Sequence, residues 1–173
     1  MLARLTALLL MVFAMAFASP AMAQSASKIG VVDFQAAIQQ TKEGQAAQKK
    51  LDAAYQQKKQ QIAQLETQLR QMQSDYEKQA SILADSARKA KEQELMSAQA
   101  QYQQAYQQSE QEMQALYSQL MQNLLDKMKM ICTQIGKEKG YTLIIEKGAV
   151  VFSTDAIDLT SELVKRYDAS TGN

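Results

Sequence analysis

The side chains that most often do chemistry are nearly missing from this chain. Its 173 residues include no His, no Trp and a single Cys, Cys132. Without an imidazole base, neither a Ser-His nor a Cys-His nucleophile system can be assembled. A zinc-type ligand cluster needs His or several thiolates, and the sequence offers neither. No glycine-rich phosphate loop occurs. Carboxylate pairs such as Glu92 and Glu94 remain. Two residues apart on a helix, they point in different directions and form a solvated face rather than an acid-base pair. No catalytic constellation results, and no cofactor is expected.

What is left is apolar contact chemistry. Tyr55, Tyr76, Tyr102 and Tyr106 recur at the spacing of a helical seam and are expected to pack inside it. Ile82 and Leu83 fall near a chain reversal, and Met96 falls beside the seam. Exposed Met and aliphatic side chains suit adaptable apolar contacts, so these three are candidate contacts for a binding partner. Cys132 lies on an apolar helix face and is expected to be a buried, unreactive thiol. A lone Cys also rules out an internal disulfide.

The elements that position these residues begin after a leader. Arg4 gives a positive start, residues 5–17 are apolar, Ser19-Pro20 breaks any helix, and Ala21-Met22-Ala23 is a small-x-small cleavage site. Residues 1–23 are therefore expected to be a secretory signal peptide, cleaved near Ala23/Gln24 and exporting the chain. The apolar run is too short to span a bilayer comfortably. Losing Arg4 leaves 18 basic and 18 acidic residues. That balance argues against nucleic-acid binding, which needs clustered positive charge.

Residues 28–34 are short, apolar and β-branched and read as a strand. Residues 35–40 read as a brief helical turn. Thr41 can then cap a long helix, with Glu43 well placed in its first turn. No Gly occurs between Gly44 and Gly136, and the only Pro is Pro20. Ala, Gln, Glu, Lys, Leu and Met dominate this stretch, which favours helix throughout.

The apolar spacing divides the stretch into two arms. Leu51, Tyr55, Ile62, Leu65, Leu69, Met72 and Tyr76 follow a 4-3 rhythm if Lys58 fills one slot. Leu95, Tyr102, Tyr106, Met113, Leu116 and Leu120 follow the same rhythm if Gln99 and Ser109 fill slots. A reversal near residues 82–86, with Asp85 or Ser86 as cap, pairs Met72 with Leu95, Leu65 with Tyr102, Tyr55 with Met113 and Leu51 with Leu116. Paired numbers sum to 167 or 168, as an antiparallel hairpin requires. The first arm would be about 55 Å long. The same rule sets Lys58 opposite Ser109 as one polar layer, a candidate hinge in the arm.

The returning helix is expected to continue to Lys139 and stop at Gly140. Beyond about residue 121 its apolar face widens, taking in Leu124, Met128 and Ile131, as if entering a separate body. Residues 141–146 and 149–153 read as two strands around a Lys147-Gly148 turn, and Asp158 can cap a last helix over residues 159–167. The expected organisation is a helical-hairpin arm, residues 41–116, on a small β-body made from residues 24–40 and 117–173. The fold class is α+β, mostly α. Ile29, Val31, Leu143, Ile145 and Val151, with Leu124, Met128 and Ile131, are the candidate body core. Three strands and a short helix bury too little alone, which points to a core shared between subunits.

Three segments resemble the Skp/OmpH family of periplasmic chaperones: KIGVVDFQ at residues 28–35, TKEGQAAQKKL at 41–51, and YTLIIEKGAVVFSTDAIDLTSELVKRY at 141–167. The arms resemble the family only in length and periodicity. The resemblance implies a jellyfish-like homotrimer that holds unfolded outer-membrane β-barrel proteins without ATP and passes them towards the outer-membrane assembly machinery. Known members are strongly basic. The arms here, residues 45–125, carry nine basic and nine acidic residues. At most a weak membrane or lipopolysaccharide contact is expected. The rival reading is a structural coiled-coil spacer or scaffold of the cell envelope, with inert outer faces.

Overall fold

The structure, a computed structural model, describes residues 27–171. The expected signal peptide, residues 1–23, lies outside the described residues. The element order is β1 (Ile29–Val32), α1 (Phe34–Gln40), α2 (Lys42–Gln79), α3 (Asp85–Lys139), β2 (Leu143–Glu146) and α4 (Thr160–Thr171). Short 3-10 turns at Lys147–Ala149 and Asp155–Ile157 join the last two elements.

Two capped elbows set the direction of the first arm. Asp33 caps α1 by accepting from the Ala36 N–H at 2.8 Å. Thr41 then caps α2, accepting from the Gly44 N–H at 3.2 Å, while its own N–H donates to the Ala37 carbonyl. Thr41 is wholly buried, so its hydroxyl is spent inside the fold. Gly44 is required here: a Cβ at this position would come 1.8 Å from the Ile38 carbonyl oxygen.

The long helices end differently. The α3 helix starts at Asp85 with Ala84 as its N-cap and no side-chain cap, so neither Asp85 nor Ser86 has the expected capping role. Asp85 instead sits in the first turn, where its charge complements the helix dipole. The other end falls where the sequence placed it. Gly140 takes a left-handed conformation, φ 67°, and its N–H closes back on Gly136.

The core lies in the body and reaches into the root of the arm, where Ala47 joins the cluster and Leu51 is also buried. Val32, Ala37, Leu124, Met128, Ile131, Cys132, Ile135, Leu159, Leu163 and Tyr167 form one cluster. Between residues 52 and 123 no residue is fully buried. A two-helix seam is open on both flanks and can only half-bury its side chains, so the arm depends on the body for its anchorage.

That anchorage is polar as well as apolar. The Tyr167 hydroxyl donates to Glu43 at 2.9 Å, and Lys127 meets the same carboxylate at 3.2 Å while lying 4.6 Å over the Tyr167 ring. Burial and the Glu43 carboxylate both push the Tyr167 phenol up, so it stays protonated as a donor. The Lys42 N–H donates to Asp168. The root of the arm is thus tied to α4 from two directions.

The sheet is smaller than the sequence suggests. β1 and β2 pair in parallel, Ile29 with Leu143 through Val32 with Glu146. An isolated bridge joins Val31 to Asp158 on the other side of β1. Residues 149–153 do not form the expected third strand. Lys147–Ala149 form a 3-10 turn, with the Val150 N–H closing on the Lys147 carbonyl, in place of a two-residue hairpin turn, so the chain does not return along the open edge of β2. Val151 and Phe152 consequently project outward, fully or nearly fully exposed. Asp158 does act at the start of α4, accepting from the Thr160 N–H at 2.8 Å, and that helix runs four residues beyond the expected Tyr167.

Candidate functional site

The arm holds the residues that could meet a partner, and its register is the one the numbers dictate. The Tyr76 hydroxyl donates to Glu92 at 2.6 Å, a pair whose numbers sum to 168. Tyr55 lines the same cavity as Met113, and Ile62 the same cavity as Tyr106. The α2 and α3 helices therefore lie antiparallel in the expected alignment. The Glu92 carboxylate pushes the Tyr76 phenol up, so this link near the tip persists across ordinary pH.

Occupancy of the seam differs in detail. Ala98, half-buried, takes the slot expected for Gln99, which is exposed. Ala54 and Ala105 are also half-buried, while the adjacent Tyr55 and Tyr106 are 56% and 46% exposed. The expectation that these two tyrosines pack inside the seam is overturned. Small Ala side chains fill the narrow space between the helices and leave the bulky neighbouring rings on its flank. Tyr76 and Tyr102 stay half-buried, and the Tyr102 and Tyr106 rings lie 6.5 Å apart.

The polar layer is real. Lys58 and Ser109, both half-buried, line two cavities together, one of about 400 Å³ and one of about 510 Å³. Lys58 leaves the seam to reach Glu112 at 2.5 Å, and that pairing holds the Glu112 carboxyl below its ordinary range. The two cavities open on opposite flanks of the seam. Gln61, Gln64, Gln68 and Gln108 line the smaller one with Leu65; Tyr55, Tyr106 and Met113 line the larger, and Ile62 reaches both.

Of the candidate partner contacts, Ile82 and Met96 are exposed and Leu83 is half-buried. Ile82 and Leu83 sit in the five-residue reversal, residues 80–84, between the helices, and Met96 is on the outer surface of α3. Of the candidate body core, Val31, Leu124, Met128 and Ile131 are buried within the chain itself. Ile145 is half-buried. Ile29, Leu143 and Val151 lie on the surface of the chain, so only contact with another molecule could bury them.

No group of acidic, His or Cys side chains among the described residues could hold a metal ion. Cys132 is buried in the core, and burial raises its thiol pKa to about 11. Among the described residues no helix is long and apolar enough to cross a membrane.

Comparison with known proteins agrees with this architecture. The sequence model of the OmpH-like outer membrane protein family matches residues 28–167. The chaperone protein Skp of Photorhabdus luminescens is 24% identical over 154 residues, covering 89% of this chain and 93% of the relative. The chaperone protein Skp of Pectobacterium atrosepticum is 22% identical over 149 residues, covering 86% and 90%. A crystal structure described as an OmpH-like outer membrane chaperone of Caulobacter crescentus superposes with a TM-score of 0.76 at 17% identity, covering 83% of this chain and 85% of that one. The fold is shared, and the named relatives are chaperones rather than enzymes. From its sequence match over residues 28–167, the chain belongs to the Skp/OmpH family.

Proposed function

We propose that this protein is an ATP-independent holdase of the periplasm, binding unfolded outer-membrane β-barrel proteins and keeping them from aggregating. The carrying observation is the arm itself: a hairpin with no fully buried residue between 52 and 123, standing on a core formed by the body and the arm's own root. Such an arm contributes little to the chain's own stability but offers a long surface studded with apolar side chains. Ile82, Leu83 and Met96 are the proposed client contacts near its outer end. An inert spacer would gain nothing from exposing Ile82, Met96 and Tyr55, and this disfavours the scaffold reading.

The working form is a homotrimer joined through the body. Leu143, Ile29, Val151 and Phe152 supply exposed apolar surface there, and β2 has no second strand partner among the described residues. Residues 41–116 serve as the arm, and 24–40 with 117–173 as the trimerising body. Export by the signal peptide brings the chain to its clients, which it releases towards the outer-membrane assembly machinery. The Lys58–Ser109 layer is the proposed hinge that lets the arms open. With neutral arms, any membrane or lipopolysaccharide contact is weak.

The test is light scattering of a urea-denatured porin diluted into buffer without nucleotide. Scattering should fall when stoichiometric trimer is present. Unchanged scattering at a several-fold excess would sink the chaperone reading in favour of the spacer.

A further inference from the structure

The two faces of the arm are chemically different at the same level. On either side of the Lys58–Ser109 layer lies a cavity. One is walled by Gln61, Gln64, Gln68 and Gln108 around Leu65 and Ala105, with Ile62 reaching both cavities. The other is walled by Tyr55, Ile62, Tyr106 and Met113. The difference follows from helix geometry. Gln108 and Glu110 flank Ser109 by about 100° in opposite senses, so one cavity takes the residues on one side of each seam and the other takes the rest. Gln side chains keep water and other polar partners, whereas Tyr and Met give rigid aromatic area and adaptable apolar fill.

We propose that the Tyr55–Tyr106 face is the side of the arm that grips the client, and that its occupant is an apolar, aromatic-bearing segment of an unfolded outer-membrane β-barrel protein. This rests on the holdase reading above and assigns its contact face.

Charge chooses the occupant. The rim of the aromatic cavity carries Lys58, Lys59, Glu66 and Glu110, two of each sign. Lys58 is bound to Glu112 and Glu66 to Arg70. Glu110 acts on the Tyr106 phenol and keeps its proton on. Lys59 and Glu110, of opposite sign, have no ion-pair partner among the described residues. The rim therefore offers a neutral frame around an apolar floor. It neither attracts nor compensates a charged segment, and it fits one of low net charge. The lipid-facing residues of a membrane β-strand are uncharged, and its ends carry aromatic girdles. A second copy of this chain is a poorer match, because its arm surface is dominated by charged side chains and Gln.

The experiment places a photo-crosslinking p-benzoylphenylalanine on either face of the full-length trimer, as Tyr106→p-benzoylphenylalanine or Gln64→p-benzoylphenylalanine. Each is mixed with urea-denatured porin and irradiated. The expected result is porin adducts mainly from position 106. In parallel, Tyr55→Ser/Tyr106→Ser should need several-fold more protein to suppress porin aggregation than wild type, with Gln64→Ala/Gln108→Ala unchanged. Both tyrosines are half-exposed, so circular dichroism should show the fold intact. Equal adducts from both positions, adducts only between copies of this chain, or full holding by the tyrosine variant would overturn the assignment. In the last case wild-type holding would leave the holdase reading standing. Loss of holding by wild type itself would reject both.

Discussion

Lys58 crosses from α2 to Glu112 on α3, 2.5 Å away, and so leaves its seam slot opposite Ser109 without an apolar filling. The cavities on both sides of this layer are the price of that departure. Lys58→Leu with Ser109→Leu should restore the seam and raise stability by about 1–3 kcal/mol, the scale of burying core side chains. The melting temperature should rise, and amide exchange should slow across residues 55–62 and 106–113. Wild-type exchange that already matches the flanking layers would remove the hinge. The ion pair adds a pH signature. Glu112 has a lowered folded pKa, so its contribution is present above its unfolded value of about 4.3 and is lost as pH falls through the folded value. At neutral pH the pair is intact.

Gly44 should tolerate no side chain. Its Cβ would overlap the Ile38 carbonyl in the elbow that aims the arm. Gly44→Ala should cost about 1–3 kcal/mol, the range for forced overpacking, and shift chemical denaturation accordingly. A variant as stable as wild type would show that the elbow opens without penalty.

Leu143 separates folding from assembly. It is 50% exposed in the chain, so a charge there costs the protomer little. In a trimeric body the same charge would be buried and unpaired, at a cost of several kcal/mol. Leu143→Asp should therefore convert trimer to monomer in sedimentation equilibrium while most helicity remains. A wild-type chain that is monomeric at micromolar concentration would contradict the shared body.

Cys132 should react slowly. With its pKa raised to about 11, almost none of it is thiolate at neutral pH. A polar disulfide reagent should label it orders of magnitude faster in denaturant than in buffer, and native labelling should increase only as pH approaches that value. Rapid native labelling would place the thiol at the surface.

Much of this architecture was legible from spacing alone. The 4-3 rhythm and the constant sum of paired numbers set the hairpin register, and Gly140 marked the end of α3 correctly. The errors share a cause. Leaving Ala out of the seam put Tyr55 and Tyr106, and Gln99 as a slot filler, where Ala54, Ala105 and Ala98 lie, because Ala carries almost no periodic signal. The two-faced arm stayed hidden for the same reason. Residues 149–153 look like a strand by composition, yet a β-branched run pairs only if the turn before it returns the chain to an edge, and the 3-10 turn at Lys147–Ala149 does not. The absence of a side-chain cap at Ala84 was equally invisible, since two capping residue types follow it directly.

The central claim is that this chain captures an unfolded barrel protein without using energy. Size-exclusion chromatography with light-scattering mass detection tests it most directly, after urea-denatured porin is diluted into the trimer in nucleotide-free buffer. The chain carries no Trp, so Trp fluorescence in the eluate reports porin alone. The account predicts a soluble peak whose mass is that of one trimer plus one porin, with the porin still lacking sheet signal by circular dichroism. A trimer peak free of Trp fluorescence, with the porin in the pellet, would contradict it.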